Sequence, residues 1–100
     1  MVTLDVVALL EGGKELRIKA RMDSPEQQAD GSWVCRVEVA PLNAQPLDVR
    51  GVDSFHAVWL ACALILKLLT QLKANGARLI NEDGSDFPLE AYLAGLDEKR

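Results

Sequence analysis

The feature that most constrains this chain is a long apolar segment that begins after Gly51 and ends before Asn75-Gly76. Asp53 or Ser54 offers the side-chain acceptor that a first helical turn needs, and Asn75-Gly76 suits the exit from a helix, so we predict one helix over about residues 53–74. With about 100° of rotation per residue, its bulky side chains form one stripe that we assign to the core. This stripe comprises Phe55, Val58, Trp59, Cys62, Ile65, Leu66, Leu69 and Leu72.

The opposite side of this helix is also apolar in its N-terminal half. There Ala57, Leu60, Ala61 and Leu64 leave only two polar side chains, those of Asp53 and His56. A helix that is apolar all round has to be covered on every side, and one small sheet covers only one side.

Alternating side chains elsewhere predict a sheet. Residues 15–22 alternate strictly between apolar and charged, which is the period of a half-buried strand. We predict strands over about 3–10, 15–22, 32–39 and 77–81, a short edge strand at 47–49, and a helical turn at 88–94. The expected fold is a single α+β domain over residues 1–100, an antiparallel meander of three to five strands with one long helix packed on one face.

The first strand is apolar on both faces. Its register with the second strand decides which of the two faces lies outside the core. If Gly12-Gly13 forms a two-residue hairpin turn, the side chains of one column lie on the outer face of the sheet, beside Glu15, Arg17, Lys19 and Arg21. A shift of one residue moves that column to the other face. The column comprises Leu4, Val6, Ala8 and Leu10.

Composition narrows the function classes. The 100 residues are 49% hydrophobic with a net charge of −4, the balance of an ordinary globular domain. An acidic chain is poorly suited to phosphate backbones, so we expect no nucleic-acid partner. With no targeting signal and with Lys67 interrupting the longest apolar run, we expect a cytoplasmic protein without membrane contact.

Few side chains invite a chemical interpretation. His56 and Asp53 lie three residues apart, but no nucleophile accompanies them, so we expect no catalytic residues and no cofactor. Cys35 and Cys62 are predicted to be buried thiols. The acidic stretch 81–86 lacks the calcium-loop pattern and is predicted to be a turn, so no metal is expected.

Three segments carry a family resemblance: Gly51-Val-Asp-Ser-Phe-His-Ala with the helix after it, Gly76-Ala-Arg-Leu, and Asp83-Gly84. Over about residues 45–93 the chain resembles a family of small uncharacterised bacterial proteins, a domain of unknown function. The resemblance implies a small α+β protein and brings no activity or catalytic residues.

Two surplus apolar surfaces predict association with another protein. We expect a small non-enzymatic module that forms a homodimer or contacts an unknown protein, with an immunity-like role by analogy of size. The candidate interface comprises His56, Leu60, Leu64, Leu4, Val6 and Leu10. One alternative is that the C-terminal segment, with Phe87, Leu89, Tyr92, Leu93 and Leu96, folds back over one surface. Another is a ligand-binding or catalytic pocket between helix and sheet near Trp33, His56 and Trp59.

Overall fold

The computed structural model describes residues 1–94 and has an α+β fold. The expected fold class is therefore confirmed. The charged C-terminal end and Leu96 lie outside the described residues. In chain order the elements are β1 (Val2–Leu9), β2 (Glu15–Met22), β3 (Glu26–Gln27), β4 (Trp33–Ala40), β5 (Leu47–Gly51), α1 (Ser54–Ala74), β6 (Arg78–Ile80) and α2 (Leu89–Ala94).

The six strands form one antiparallel sheet. β2 pairs with β1 on one side and with the second half of β4 on the other, and β1 also pairs with the short strand β6. β5 pairs with the opposite edge of β4, and β3 pairs with the beginning of β4. Helix α1 packs on one face of this sheet, mainly against β4 and β5. β3 is a short strand in a stretch for which no strand was predicted.

The hairpin between β1 and β2 does not have a two-residue turn at Gly12-Gly13. Glu11–Gly13 form a short 3-10 turn in which Gly12 has a φ of 85°, and the N–H of Leu10 donates to the carbonyl of Lys14. This longer turn shifts the pairing by one residue, so that Leu4 lies opposite Ala20 and Val6 opposite Ile18. The surplus column of β1 therefore faces α1 and belongs to the core.

Small side chains allow α1 to approach the sheet closely. Ala57 and Ala61 are fully buried, and Ile65 and Leu69 continue the same buried line toward the C-terminus. At the N-terminal end the approach is so close that a Cβ on Gly51 would lie 2.5 Å from the backbone nitrogen of Ala57. Glycine is required there because nothing larger fits between β5 and the helix.

The rotation of α1 differs from the prediction. Of the stripe expected inside, Ile65 and Leu69 are buried, but Phe55 is 78% and Trp59 44% exposed, and Cys62 is exposed as well. In the N-terminal half of the helix the side with the alanines is buried instead. Where a helix is apolar all round, the closest packing decides its rotation, and small residues pack closest.

Candidate interaction surface

The largest apolar side chains of the helix lie on its solvent side. We call the following group the α1 stripe: Val52, Phe55, Trp59, Cys62, Leu66 and Tyr92. Val52 is 77% and Tyr92 46% exposed, and Leu66 is half-buried. A contiguous exposed apolar patch of this kind is typical of an interaction site, whereas single exposed apolar residues are ordinary.

Helix α2 borders the C-terminal half of the α1 stripe. Phe87 and Leu89 are buried, and the ring of Tyr92 stacks on Phe87 with their centroids 5.0 Å apart. An ion pair between Lys73 and Glu90 ties α2 to α1. The C-terminal segment thus covers part of the core, but it leaves Tyr92 partly exposed as a member of the α1 stripe.

A small notch separates Tyr92 from the helix. Its volume is about 80 Å³, and its walls are the side chains of Trp59, Cys62, Ala63, Leu66 and Tyr92. These walls are mostly apolar. Phe55 protrudes from the same face of the helix, about two turns before the notch. The surface therefore carries one apolar protrusion and one apolar recess.

His56 serves the beginning of the helix. Asp53 is the N-cap, and its carboxylate accepts the backbone N–H of His56 at 2.7 Å. The Nδ1 atom of the half-buried His56 ring accepts the N–H of Val52 at 3.1 Å. Both residues of the suggested acid–base pair thus hold backbone groups, which gives them a structural role.

The remaining candidate interface residues lie away from the α1 stripe. Val6 is 2% exposed, and Leu4, Leu10 and Leu64 pack partly buried against the core. Leu60 is half-buried and lies about 140° around the helix from Phe55. The proposed interface below does not include these five residues.

The alternative pocket does not bring its three residues together. A shallow depression beside His56 is lined by Arg50, Ser32 and the neighbouring backbone, but by neither tryptophan. Trp33 is half-buried on β4, while Trp59 lies on the exposed side of α1.

Several polar side chains outside the α1 stripe form local hydrogen bonds and ion pairs. In the acidic stretch, Asp83 accepts hydrogen bonds from the backbone and the hydroxyl of Ser85, which lower the pKa of that carboxyl, and Arg78 pairs with Asp86. Within residues 1–94, no three His, Cys, Asp or Glu side chains are grouped to hold a metal ion. On the outer face of the sheet, Arg36 bonds Asp48 at 2.9 Å.

The two cysteines have different environments. Cys35 is buried, its thiol donates to the carbonyl of Asp23 at 3.3 Å, and burial raises its pKa. Cys62 is exposed at the centre of the α1 stripe, so the prediction of a buried thiol was wrong for this residue.

By length and composition alone, α1 would also qualify as a membrane span. A helix that packs on the core of a globular fold meets the same criterion. The buried line of alanine, isoleucine and leucine places α1 against the sheet.

The fold and this surface define a two-layer α+β domain whose helix presents an apolar stripe to solvent. The chain belongs to the family described as Domain of unknown function (DUF6968), whose model matches residues 6–89. The expected resemblance to a domain of unknown function is thus confirmed, and the match extends it from the helical part to most of β1 and to β2–β4. Searches of the curated proteins and of the solved structures returned no match. The family description assigns no activity.

Proposed function

We propose that this protein is a homodimerisation module and that the α1 stripe is its interface. The single observation that carries the proposal is the exposure of three aromatic side chains, Phe55, Trp59 and Tyr92, on one face of a 100-residue domain. Aromatic residues are enriched at the centres of protein interfaces, because they bury a large apolar area with little loss of side-chain entropy.

The size of the stripe fits a second copy of the chain. At about 200 Å² per aromatic side chain, the exposed fractions of Phe55, Trp59 and Tyr92 amount to about 340 Å². A standard interface buries about 800 Å² per partner, of which about 65%, or about 500 Å², is apolar in homodimers. Val52, Cys62 and Leu66 contribute most of the remaining area.

The experiment is size-exclusion chromatography with light scattering on the full chain at tens of micromolar. We expect twice the chain mass of 10.9 kDa for the native sequence. Phe55→Ser should return the mass to that of one chain. This residue is 78% exposed, so circular dichroism should show an unchanged fold.

The matched control is Leu47→Ser. Leu47 is 41% exposed on β5 and is not part of the α1 stripe, so its replacement should leave the dimer intact. A native monomer would contradict the proposal. This holds even if the monomer binds lipid vesicles, because the stripe would then have a different partner. A dimer that survives both Phe55→Ser and Trp59→Ser would show that another surface associates.

A further inference from the structure

The spacing of the stripe within α1 reads the same in both directions. Phe55, Trp59, Cys62 and Leu66 are separated by four, three and four residues, so the stripe is symmetric about a point between Leu60 and Ala61. Two such helices in an antiparallel pair therefore place Phe55 opposite Leu66 of the second copy and Trp59 opposite Cys62. A two-fold axis at that point makes each contact occur twice.

Helix α2 favours the antiparallel over the parallel pair. It lies beside the C-terminal half of α1, where Lys73 forms an ion pair with Glu90 and Tyr92 forms one wall of the notch. In a parallel pair the two α2 helices would meet, and Phe55 would oppose its own copy. In the antiparallel pair the uncovered N-terminal half of each α1 meets the half that carries the notch.

We infer that Phe55 of each protomer inserts into the notch of the other, which is walled by Trp59, Cys62, Ala63, Leu66 and Tyr92. This inference rests on the proposed homodimer and specifies its geometry. Phe55 and the notch lie on the same chain. The two-fold axis crosses the stripe at the height of residues 60 and 61, so it brings Phe55 of each protomer to the notch of the other. One interface then contains two identical aromatic insertions, and in each an apolar ring contacts mostly apolar notch walls.

The test fills the notch from inside the protomer. Ala63→Leu adds a larger side chain to the wall of an 80 Å³ recess, which blocks the ring of Phe55 from the second copy. We expect the dimer to weaken at least about tenfold, since well-packed anchor contacts commonly contribute more than this. Alanine and leucine have similar helix propensities, so α1 itself should be unaffected.

A second background makes the test specific. Phe55→Ala removes the ring that the new leucine side chain would exclude, so the double variant Ala63→Leu, Phe55→Ala should bind no more weakly than Phe55→Ala alone. The matched control is Ala74→Leu, at an exposed alanine outside the stripe, which should leave the affinity unchanged. Sedimentation equilibrium measures the affinities of the native chain, Ala63→Leu, Phe55→Ala, the double variant and Ala74→Leu.

The outcomes separate the two proposals. If the native chain stays monomeric, both the proposed function and the inferred dimer geometry are wrong. If the native chain dimerises, and Ala63→Leu has no effect or weakens the Phe55→Ala dimer as much as the native one, the dimer exists with another geometry. Loss of affinity with Ala63→Leu in the native background, and no further loss in the Phe55→Ala background, is the result that supports the insertion.

Discussion

The rotation of α1 predicts a smaller loss of stability for a substitution on its exposed side than for one on its buried side. Phe55 is 78% exposed, so about 45 Å² of a side chain of about 200 Å² is buried in the monomer. At about 25 cal/mol per Å², Phe55→Ala should lower the free energy of unfolding by about 1 kcal/mol, and alanine's better helix propensity offsets part of that loss.

Ala61 is fully buried between α1 and the sheet, so Ala61→Leu forces extra carbon atoms into a filled space. Such overpacking costs typically about 1–3 kcal/mol. Ala61→Leu should therefore destabilise the fold more than Phe55→Ala does, although leucine is itself a good helix former.

Urea unfolding of the two variants and of the native chain measures both values. The chain should be as dilute as fluorescence detection allows, because dimerisation would add a concentration-dependent contribution to the apparent free energy of unfolding. Leu69→Ala, at a side chain that is 1% exposed, gives the reference for a core residue, about 2–5 kcal/mol. A loss of about 3–5 kcal/mol for Phe55→Ala, with Ala61→Leu tolerated, would refute this helix orientation.

Gly51, Cys62 and Asp83 each allow a separate test. Gly51→Ala should destabilise the fold by about 1–3 kcal/mol in urea, because its Cβ would meet the backbone of α1; an unchanged midpoint would contradict that close approach. In the dilute native protein a thiol reagent should modify Cys62 and spare buried Cys35, whose pKa is raised; equal rates would contradict their placement. Hydrogen bonds from Ser85 lower the folded-state pKa of Asp83, so its contribution to stability is complete above the unfolded value near 4 and is lost as the pH falls through the folded value. Asp83→Asn should therefore make the melting temperature fall slightly less steeply below about pH 4 than in the native chain, and an identical fall would contradict this.

Much of the fold was predictable because it depends on local signals. The strict alternation in β2 indicated a half-buried strand, and Asp53 and Asn75-Gly76 marked the two ends of α1. Asp53 acts as the N-cap through a side-chain hydrogen bond. These features need only neighbouring residues, so the sequence carries them directly.

The register of β1 and the rotation of α1 were not predictable in the same way. Gly12-Gly13 is compatible with turns of different length, and the two registers bury opposite faces of a strand that is apolar on both. In α1 both sides are apolar, so hydrophobicity does not choose between them. The fit of Ala57 and Ala61 against the sheet decides the rotation, and that fit depends on the whole fold.

The candidate surface was missed for this reason. The sequence showed the pattern of Phe55, Trp59, Cys62 and Leu66, but bulky residues were assigned to the core by size. A second signal was available in the four-residue spacing of Ala57 and Ala61, which indicates a close-packed helix face. Tyr92 joins the stripe only through the return of α2, which no local pattern reveals.

Sedimentation equilibrium over a dilution series of the native chain shows whether a second copy is present to cover the α1 stripe. We expect a mass near twice 10.9 kDa at high concentration that falls toward 10.9 kDa on dilution. A mass of 10.9 kDa at every concentration would contradict this expectation.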